Sequence, residues 1–159
     1  MQYYQNGRFL EAEILATSIT KEFPLHQFAW KILGAVFKRT GRITESLIFM
    51  HKSVQINPKD AEAHNNLGVS LHELGKFEEA EVSFTKAINL EPNYIEAHSN
   101  LGNTHKDQGN FDKAIIAYDN AISINPNYAE AHYNKGLTKK LSGKFKEAIE
   151  SYTMAISIN

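Results

Sequence analysis

Proline and glycine divide the sequence at a constant interval of 34 residues. Each of the four prolines follows the previous one by this interval, at Pro24, Pro58, Pro92 and Pro126. All nine glycines fall into two further series with the same step, which are Gly7, Gly41, Gly75, Gly109 and Gly143, and Gly34, Gly68, Gly102 and Gly136. Proline and glycine are the residues that most often interrupt regular structure. A fixed period of this length therefore predicts a chain of stacked structural repeats.

The apolar residues within each repeat follow the spacing of α-helices. In residues 61–94, apolar side chains recur every three or four residues both before and after Gly75. Gly75 can end the first helix because glycine adopts a left-handed conformation at little steric cost. Pro92 ends the second helix because proline cannot donate a hydrogen bond to a continuing helix. Each repeat is therefore predicted to be a pair of antiparallel helices, and the pairs must stack to bury both of their faces.

Small residues occupy the positions at which the two helices of a pair must cross. The first helix supplies the second glycine series, and the second helix supplies Ala12, Ser46, Ala80, Ala114 and Ala148. A large residue follows four positions after most of these, at Met50, Phe84, Tyr118 and Tyr152. The pattern predicts close packing at each crossing, with the large side chain filling the space beside it.

The same positions resemble the tetratricopeptide repeat, whose pattern is W-x2-L-G-x2-Y…A-x3-F…P. Residues 27–60 carry the corresponding side chains, which are Trp30, Leu33, Gly34, Phe37, Ser46, Met50 and Pro58. The array is also similar to the superhelix of protein O-linked N-acetylglucosamine transferases. The resemblance implies an all-α fold, a right-handed solenoid of antiparallel helix pairs. The last repeat departs from the pattern at Lys135 and Lys139, which predicts looser docking of its first helix.

The predicted array occupies the whole chain, residues 1–159. It consists of a partial repeat at 1–26, full repeats at 27–60, 61–94 and 95–128, and a nearly full repeat at 129–159. The final helix carries apolar residues with no following repeat to cover them, at Phe145, Ile149, Tyr152 and Ile156. Because a solenoid needs polar caps, we expect either that the chain is a fragment of a longer protein or that this face pairs with another copy.

No group of residues in the sequence points to catalysis. The absence of cysteine excludes a thiolate metal site and a cysteine nucleophile. Every glycine already has a place in a turn or a helix crossing, so none is left to form a glycine-rich phosphate-binding loop. His64, His98 and His132 recur at the position that Trp30 occupies in the earlier repeat. Repeats stacked about 10 Å apart separate these rings too far for one metal ion, so we interpret them as packing residues. We predict no metal, no cofactor and no enzymatic activity.

The charge balance argues against nucleic acid and membrane partners. The 17 basic and 18 acidic residues give a net charge of −1, and the basic residues form no single patch. No segment approaches the roughly 18 consecutive apolar residues of a transmembrane helix, and the N-terminus lacks the pattern of a signal peptide. We therefore expect a cytoplasmic chain whose partner is a protein or a peptide.

The resemblance implies that the first helices of the repeats line the concave side of the superhelix, where a partner binds. On this side Asn66, Asn100 and Asn134 form a column with a step of 34 residues. A side-chain amide offers both a donor and an acceptor, so such a column can bind the backbone of an extended peptide. Further candidate contacts on the same side are Asn65, Asn103, Tyr133, Lys31 and Lys106.

The first functional hypothesis is a non-catalytic interaction module that binds extended polypeptide along its concave face. One alternative is the N-terminal substrate-recognition arm of a larger glycosyl- or sulfotransferase, which the reading frame beyond Asn159 would test. Another is a self-assembling scaffold, a homo-oligomer formed through exposed terminal helix faces. Sedimentation at increasing concentration would test the self-assembling scaffold.

Overall fold

The computed structural model describes residues 2–158, which fold into α-helices joined by short turns, with no strand in that range. Met1 and Asn159, the two ends of the predicted array, lie outside the described residues. The helices are α1 Gln2–Gln5, α2 Phe9–Glu22, α3 Gln27–Arg39, α4 Ile43–Ile56, α5 Ala61–Glu73, α6 Phe77–Leu90, α7 Ile95–Asp107, α8 Phe111–Ile124, α9 Ala129–Leu141 and α10 Phe145–Ile158. The predicted all-α solenoid is confirmed.

The turn inside each hairpin has the conformation that its glycine predicts. Gly75, between α5 and α6, has a φ angle of 71°, and Gly109, between α7 and α8, has a φ angle of 78°. Other residue types rarely adopt this left-handed region, and glycine enters it without steric cost. The turns therefore reverse the chain within three residues and bring the second helix back along the first.

The helix crossings are as close as the small residues predict. A methyl group added at Gly68 would lie 2.7 Å from Cε1 of Phe84, and one added at Gly136 would lie 2.9 Å from Cδ1 of Tyr152. Ala80 and Ala114, the small residues of α6 and α8, are completely buried. The last three hairpins are thus closed by an aromatic ring of the second helix that lies on a glycine of the first, and the hairpin α3–α4 is closed by Met50 on Gly34.

Successive hairpins stack so that their first helices form the inner side of a curve. Each second helix from α2 to α8 packs against the helices before and after it, α10 packs against α9, and α3, α5, α7 and α9 also contact one another in series. Direct contact between neighbouring first helices brings them closer together than the second helices. The first helices therefore line the concave side, and the second helices form the convex side.

One hydrogen bond recurs at the tryptophan position of every repeat. Nε1 of Trp30 donates to the carbonyl oxygen of Pro24 at 2.8 Å. The ring nitrogens Nε2 of His64, His98 and His132 lie 2.9 to 3.0 Å from the carbonyl oxygens of Pro58, Pro92 and Pro126. An indole and an Nε2-protonated imidazole both place an N–H at this point. The histidines are packing residues, and residues 2–158 contain no cluster of three or more potential metal ligands.

The last hairpin corrects one expectation. Lys139 is buried and forms an ion pair of 3.1 Å with Glu147, and Lys135 pairs with Asp119 of α8. Because each ammonium group has a carboxylate partner and each stem covers apolar surface, α9 packs against α8 as closely as the earlier first helices pack against their predecessors. The prediction of looser docking is wrong.

The final helix exposes most of the apolar face that the sequence predicts. The side chains of Phe145, Ile149 and Ile156 lie largely in solvent. Tyr152 is half-buried instead, because its ring packs on Gly136 and lies 5.7 Å from the ring of Tyr133. No helix among residues 2–158 has both the length and the apolar character needed to cross a membrane.

Candidate functional site: the concave groove

The asparagine column lies on the inner side of three consecutive hairpins. Asn66, Asn100 and Asn134 belong to α5, α7 and α9, and each precedes the crossing glycine of its helix by two residues. Two residues correspond to about 200° around an α-helix. Because the glycine faces the second helix, the asparagine faces away from it, toward the groove. All three side chains are half-buried.

The amide groups of the column keep hydrogen-bonding capacity for a partner. Within residues 2–158, the side chains of Asn66 and Asn134 make no hydrogen bond. Nδ2 of Asn100 donates to Oδ1 of Asn65 at 3.0 Å, which uses one of its two amide hydrogens and leaves its oxygen available. The column therefore presents both donors and acceptors along the groove.

Two predicted groove residues instead have structural partners. Asn65 is buried between α5 and α7, where its oxygen accepts the hydrogen bond from Asn100, so its assignment to the peptide-contacting surface is corrected. Oδ1 of Asn103 accepts a hydrogen bond of 2.7 Å from the hydroxyl of Tyr118. Asn103 is half-buried and has only its NH2 group left for a partner.

The remaining candidate residues differ in their availability. Lys31 pairs with Asp60 at 3.2 Å and also with Glu62. Lys106 lies 3.4 Å from Asp107. Tyr133 is exposed over 53% of its surface and presents its ring on the inner helix α9. The ring of Tyr133 lies 5.7 Å from the ring of Tyr152 and keeps an exposed face for a partner, whereas each of the two lysines lies beside a carboxylate.

Polar contacts between neighbouring first helices were not predicted from the sequence. Lys38 of α3 pairs with Glu73 of α5 at 3.0 Å, and His72 of α5 lies 3.0 Å from Asp107 of α7. The partners of each pair are 35 residues apart, one more than the repeat length. A search for opposite charges at this spacing on the first helices would have identified them.

The groove deepens at its N-terminal end. A cavity of about 400 Å³ lies between α3 and α5, and Asn66 forms part of its wall. Phe28 and Ile32 supply apolar surface, and Arg39 lies at its basic edge. This cavity was not predictable from the sequence, because it depends on the separation of two helices that belong to different repeats.

Asp60 holds the N-terminal end of the groove together. Its Oδ1 accepts a hydrogen bond of 2.9 Å from the backbone N–H of Ala63 and caps α5, and its Oδ2 accepts from Nε2 of Gln27 at 2.6 Å. Partial burial opposes ionisation of Asp60, but these hydrogen bonds and the charge of Lys31 together lower its pKa.

We expect Asp60→Ala to lower the free energy of unfolding by about 1–2 kcal/mol at neutral pH, because it removes both the cap and an ion pair. Asp60→Asn should cost less, because asparagine caps helices equally well. The pKa of Asp60 is lower in the folded state than in the unfolded state. The Asp60 charge therefore stabilises the fold fully above the unfolded pKa of about 3.9, and this stabilisation is lost as the pH falls through the folded-state pKa. Urea unfolding at several pH values should show the difference between wild type and Asp60→Asn disappearing in acid; a constant difference would contradict the assignment.

Family models match most of the chain. One described as the tetratricopeptide repeat matches residues 61–94 and 129–159, and another with the same description matches residues 83–116. A third, described as a TPR repeat, matches residues 102–142. Together they cover residues 61–159, well over half of the sequence. The chain belongs to the tetratricopeptide repeat family.

Solved structures of other tetratricopeptide repeat proteins share the complete fold. A crystal structure of MamA is 26% identical, with a TM-score of 0.91 over 99% of this chain and 92% of the MamA chain. MamA from Desulfovibrio magneticus RS-1 is 16% identical, with a TM-score of 0.91 over 99% and 89% of the two chains. YrrB, described as having an unusual peptide-binding site, is 20% identical, with a TM-score of 0.82 over 99% and 81%. No curated protein sequence matches significantly.

Proposed function

We propose that this tetratricopeptide repeat array is a non-catalytic interaction module that binds an extended polypeptide in its concave groove. The observation that carries the proposal is the column of Asn66, Asn100 and Asn134, which faces the groove with amide groups that the protein leaves largely unpaired. The existence of a peptide-binding relative of the same fold, YrrB, supports a peptide as the partner class.

The chemistry of the groove favours recognition of the peptide backbone over recognition of particular side chains. An asparagine amide can donate to a peptide carbonyl and accept from a peptide N–H at the same time. The nearby lysines of α3 and α7 are already paired with carboxylates. We therefore propose broad sequence tolerance, the mode that the resemblance to the O-linked N-acetylglucosamine transferase superhelix implies.

Affinity must come from several repeats acting together. A single net hydrogen bond contributes about 0.5–1.5 kcal/mol, so the three amides together contribute at most a few kcal/mol. Tyr133 and the apolar wall of the N-terminal cavity add contact area at the two ends of the column. The proposed ligand is thus a segment long enough to follow the groove from α3 to α9.

We expect the triple variant N66A/N100A/N134A to weaken binding to an array of unrelated extended peptides by at least about tenfold. The measurement is fluorescence anisotropy with labelled peptides selected from the array. The matched control replaces three exposed asparagines outside the groove, Asn89, Asn93 and Asn120. Equal affinities of the triple variant and wild type, with both folded, would exclude the column as the binding element.

The proposal also covers the module as part of a larger protein. If a catalytic transferase domain follows in the same reading frame, the groove would act as its substrate-recognition arm. Sequencing of the gene beyond Asn159 tests this extension separately. An immediate stop codon would exclude a following transferase domain and would leave the proposal of a peptide-binding groove unaffected.

A further inference from the structure

A column of aliphatic side chains runs along the convex side of the superhelix. Ile14, Ile48, Val82 and Ile116 follow one another at intervals of 34 residues, one on each of α2, α4, α6 and α8. Their exposed fractions are 62%, 67%, 70% and 61%. Single exposed aliphatic residues are ordinary, but here four occupy the same position of consecutive outer helices. We call this surface the outer column.

A depression accompanies the outer column at Val82. A cavity of about 460 Å³ opens between α4 and α6 beside Val82. Its lining includes Leu67 and Leu71 of α5, which are otherwise among the most buried residues, and His51 and Lys86. The convex side thus offers projecting aliphatic side chains and, beside Val82, further accessible apolar surface between neighbouring outer helices.

Charges border the outer column on opposite sides in α4 and α6. Glu45 and Glu79 lie three residues before Ile48 and Val82, and Lys52 and Lys86 lie four residues after them. Residues three and four apart share one face of a helix. The acidic groups therefore form one edge of the column and the basic groups form the other. Glu45 and Glu79 form exposed ion pairs with Arg42 and Lys76, three residues before them, whereas Lys52 and Lys86 take part in no ion pair within residues 2–158.

We propose that the outer column is the interface of a homodimer, in which a second copy packs through its own outer column. A twofold axis parallel to the column exchanges its two edges, so the acidic edge of each copy lies over the basic edge of the other. A twofold axis perpendicular to the column would instead place like charges together, which opposes association. The favoured dimer therefore has parallel columns and antiparallel facing helices.

The repeat itself supports a second copy as the occupant. Another molecule of this chain has the same 34-residue step, so a twofold axis parallel to the column places each aliphatic side chain against its own counterpart in the second copy. A self-complementary patch of this kind is what a twofold interface requires. The interface lies on the side opposite the asparagine column and is independent of the proposed peptide binding.

Sedimentation velocity of the complete chain over a concentration series tests the proposal. We expect a reversible monomer–dimer equilibrium, with Val82→Glu raising the dimer Kd by more than about fivefold, the effect of losing an interface anchor residue. Ile149→Glu is the matched control, because Ile149 is similarly exposed, at 66%, but lies on the terminal helix α10. It should leave the Kd unchanged. Circular dichroism confirms that each variant is folded.

A charge exchange tests the arrangement of the two copies. Lys86→Glu and Glu79→Lys should each weaken the dimer, and the double exchange should restore it, because the two positions face each other across the twofold axis. N66A/N100A/N134A should dimerise like wild type, which separates this interface from the peptide groove. Three results would overturn the proposal. The first is a wild-type chain that stays monomeric throughout the series, and the second is a dimer dissociated by Ile149→Glu but not by Val82→Glu. The third is a double exchange that fails to restore association.

Discussion

Replacing Tyr118 with alanine is expected to lower the free energy of unfolding by about 3–5 kcal/mol. The side chain of Tyr118 is completely buried and fills the crossing of α7 and α8 over Gly102. Its loss leaves a cavity that neither helix can close, because their backbones are already in contact distance at the small residues. Urea unfolding followed by circular dichroism measures the change.

Two further variants separate the contributions of Tyr118. Burial raises the pKa of its hydroxyl well above the usual value, so the hydroxyl stays protonated and donates to Asn103. Tyr118→Phe removes only this hydrogen bond and should cost about 1 kcal/mol. Tyr133→Ala removes an exposed ring and should cost about 1 kcal/mol or less. A loss from Tyr118→Ala no greater than that from Tyr133→Ala would contradict the packing at this crossing.

Replacing Gly102 with valine is expected to destabilise the protein by about 3 kcal/mol, at the upper end of ordinary overpacking effects. A Cβ atom at this position would lie 2.5 Å from Cε1 of Tyr118. The ring is rigid and enclosed on all sides, so relief of the clash requires the two helices to separate. Gly102→Val therefore weakens packing along the whole hairpin in addition to creating the local clash.

Gly34→Val is the matched control for Gly102→Val. The substitution is the same and also lies inside a first helix, but the added atom meets the flexible side chain of Met50 at 2.7 Å. Methionine can change rotamer where an aromatic ring cannot, so we expect a smaller loss. Combining Gly102→Val with Tyr118→Ala should cost less than the sum of the two single changes. Equal effects of the two valine substitutions, or strict additivity in the double variant, would contradict the account.

The helices and their crossings could be predicted from the sequence because each of these features has a local cause. Gly75 ends a helix through its own backbone conformation, and Gly68 faces Phe84 because their positions within one hairpin are fixed by helix geometry. The assignment of the asparagine column to the inner side came from the resemblance to the tetratricopeptide repeat and not from the spacing. Because each repeat contacts only its neighbours, a short pattern repeated along the chain is enough to predict the fold of the whole array.

Contacts between repeats were harder to predict. Asn65 and Asn66 are adjacent in sequence, yet one is buried against Asn100 and the other faces the groove. Lys139 was expected to loosen its helix, but a carboxylate on α10 lies within its reach. These outcomes depend on side-chain length and on the separation of helices, neither of which is contained in the spacing of residue types.

The central claim is that the inner-face amides bind a peptide backbone. The most direct measurement is an NMR titration of the nitrogen-15-labelled chain with unlabelled extended peptides of unrelated sequence, observed at the side-chain NH2 signals of asparagine. We expect the signals of Asn66, Asn100 and Asn134 to shift with every peptide that binds, while those of Asn89 and Asn120 on the outer helices stay in place. Peptide binding that shifts the outer asparagines and leaves the three inner ones unchanged would contradict the claim.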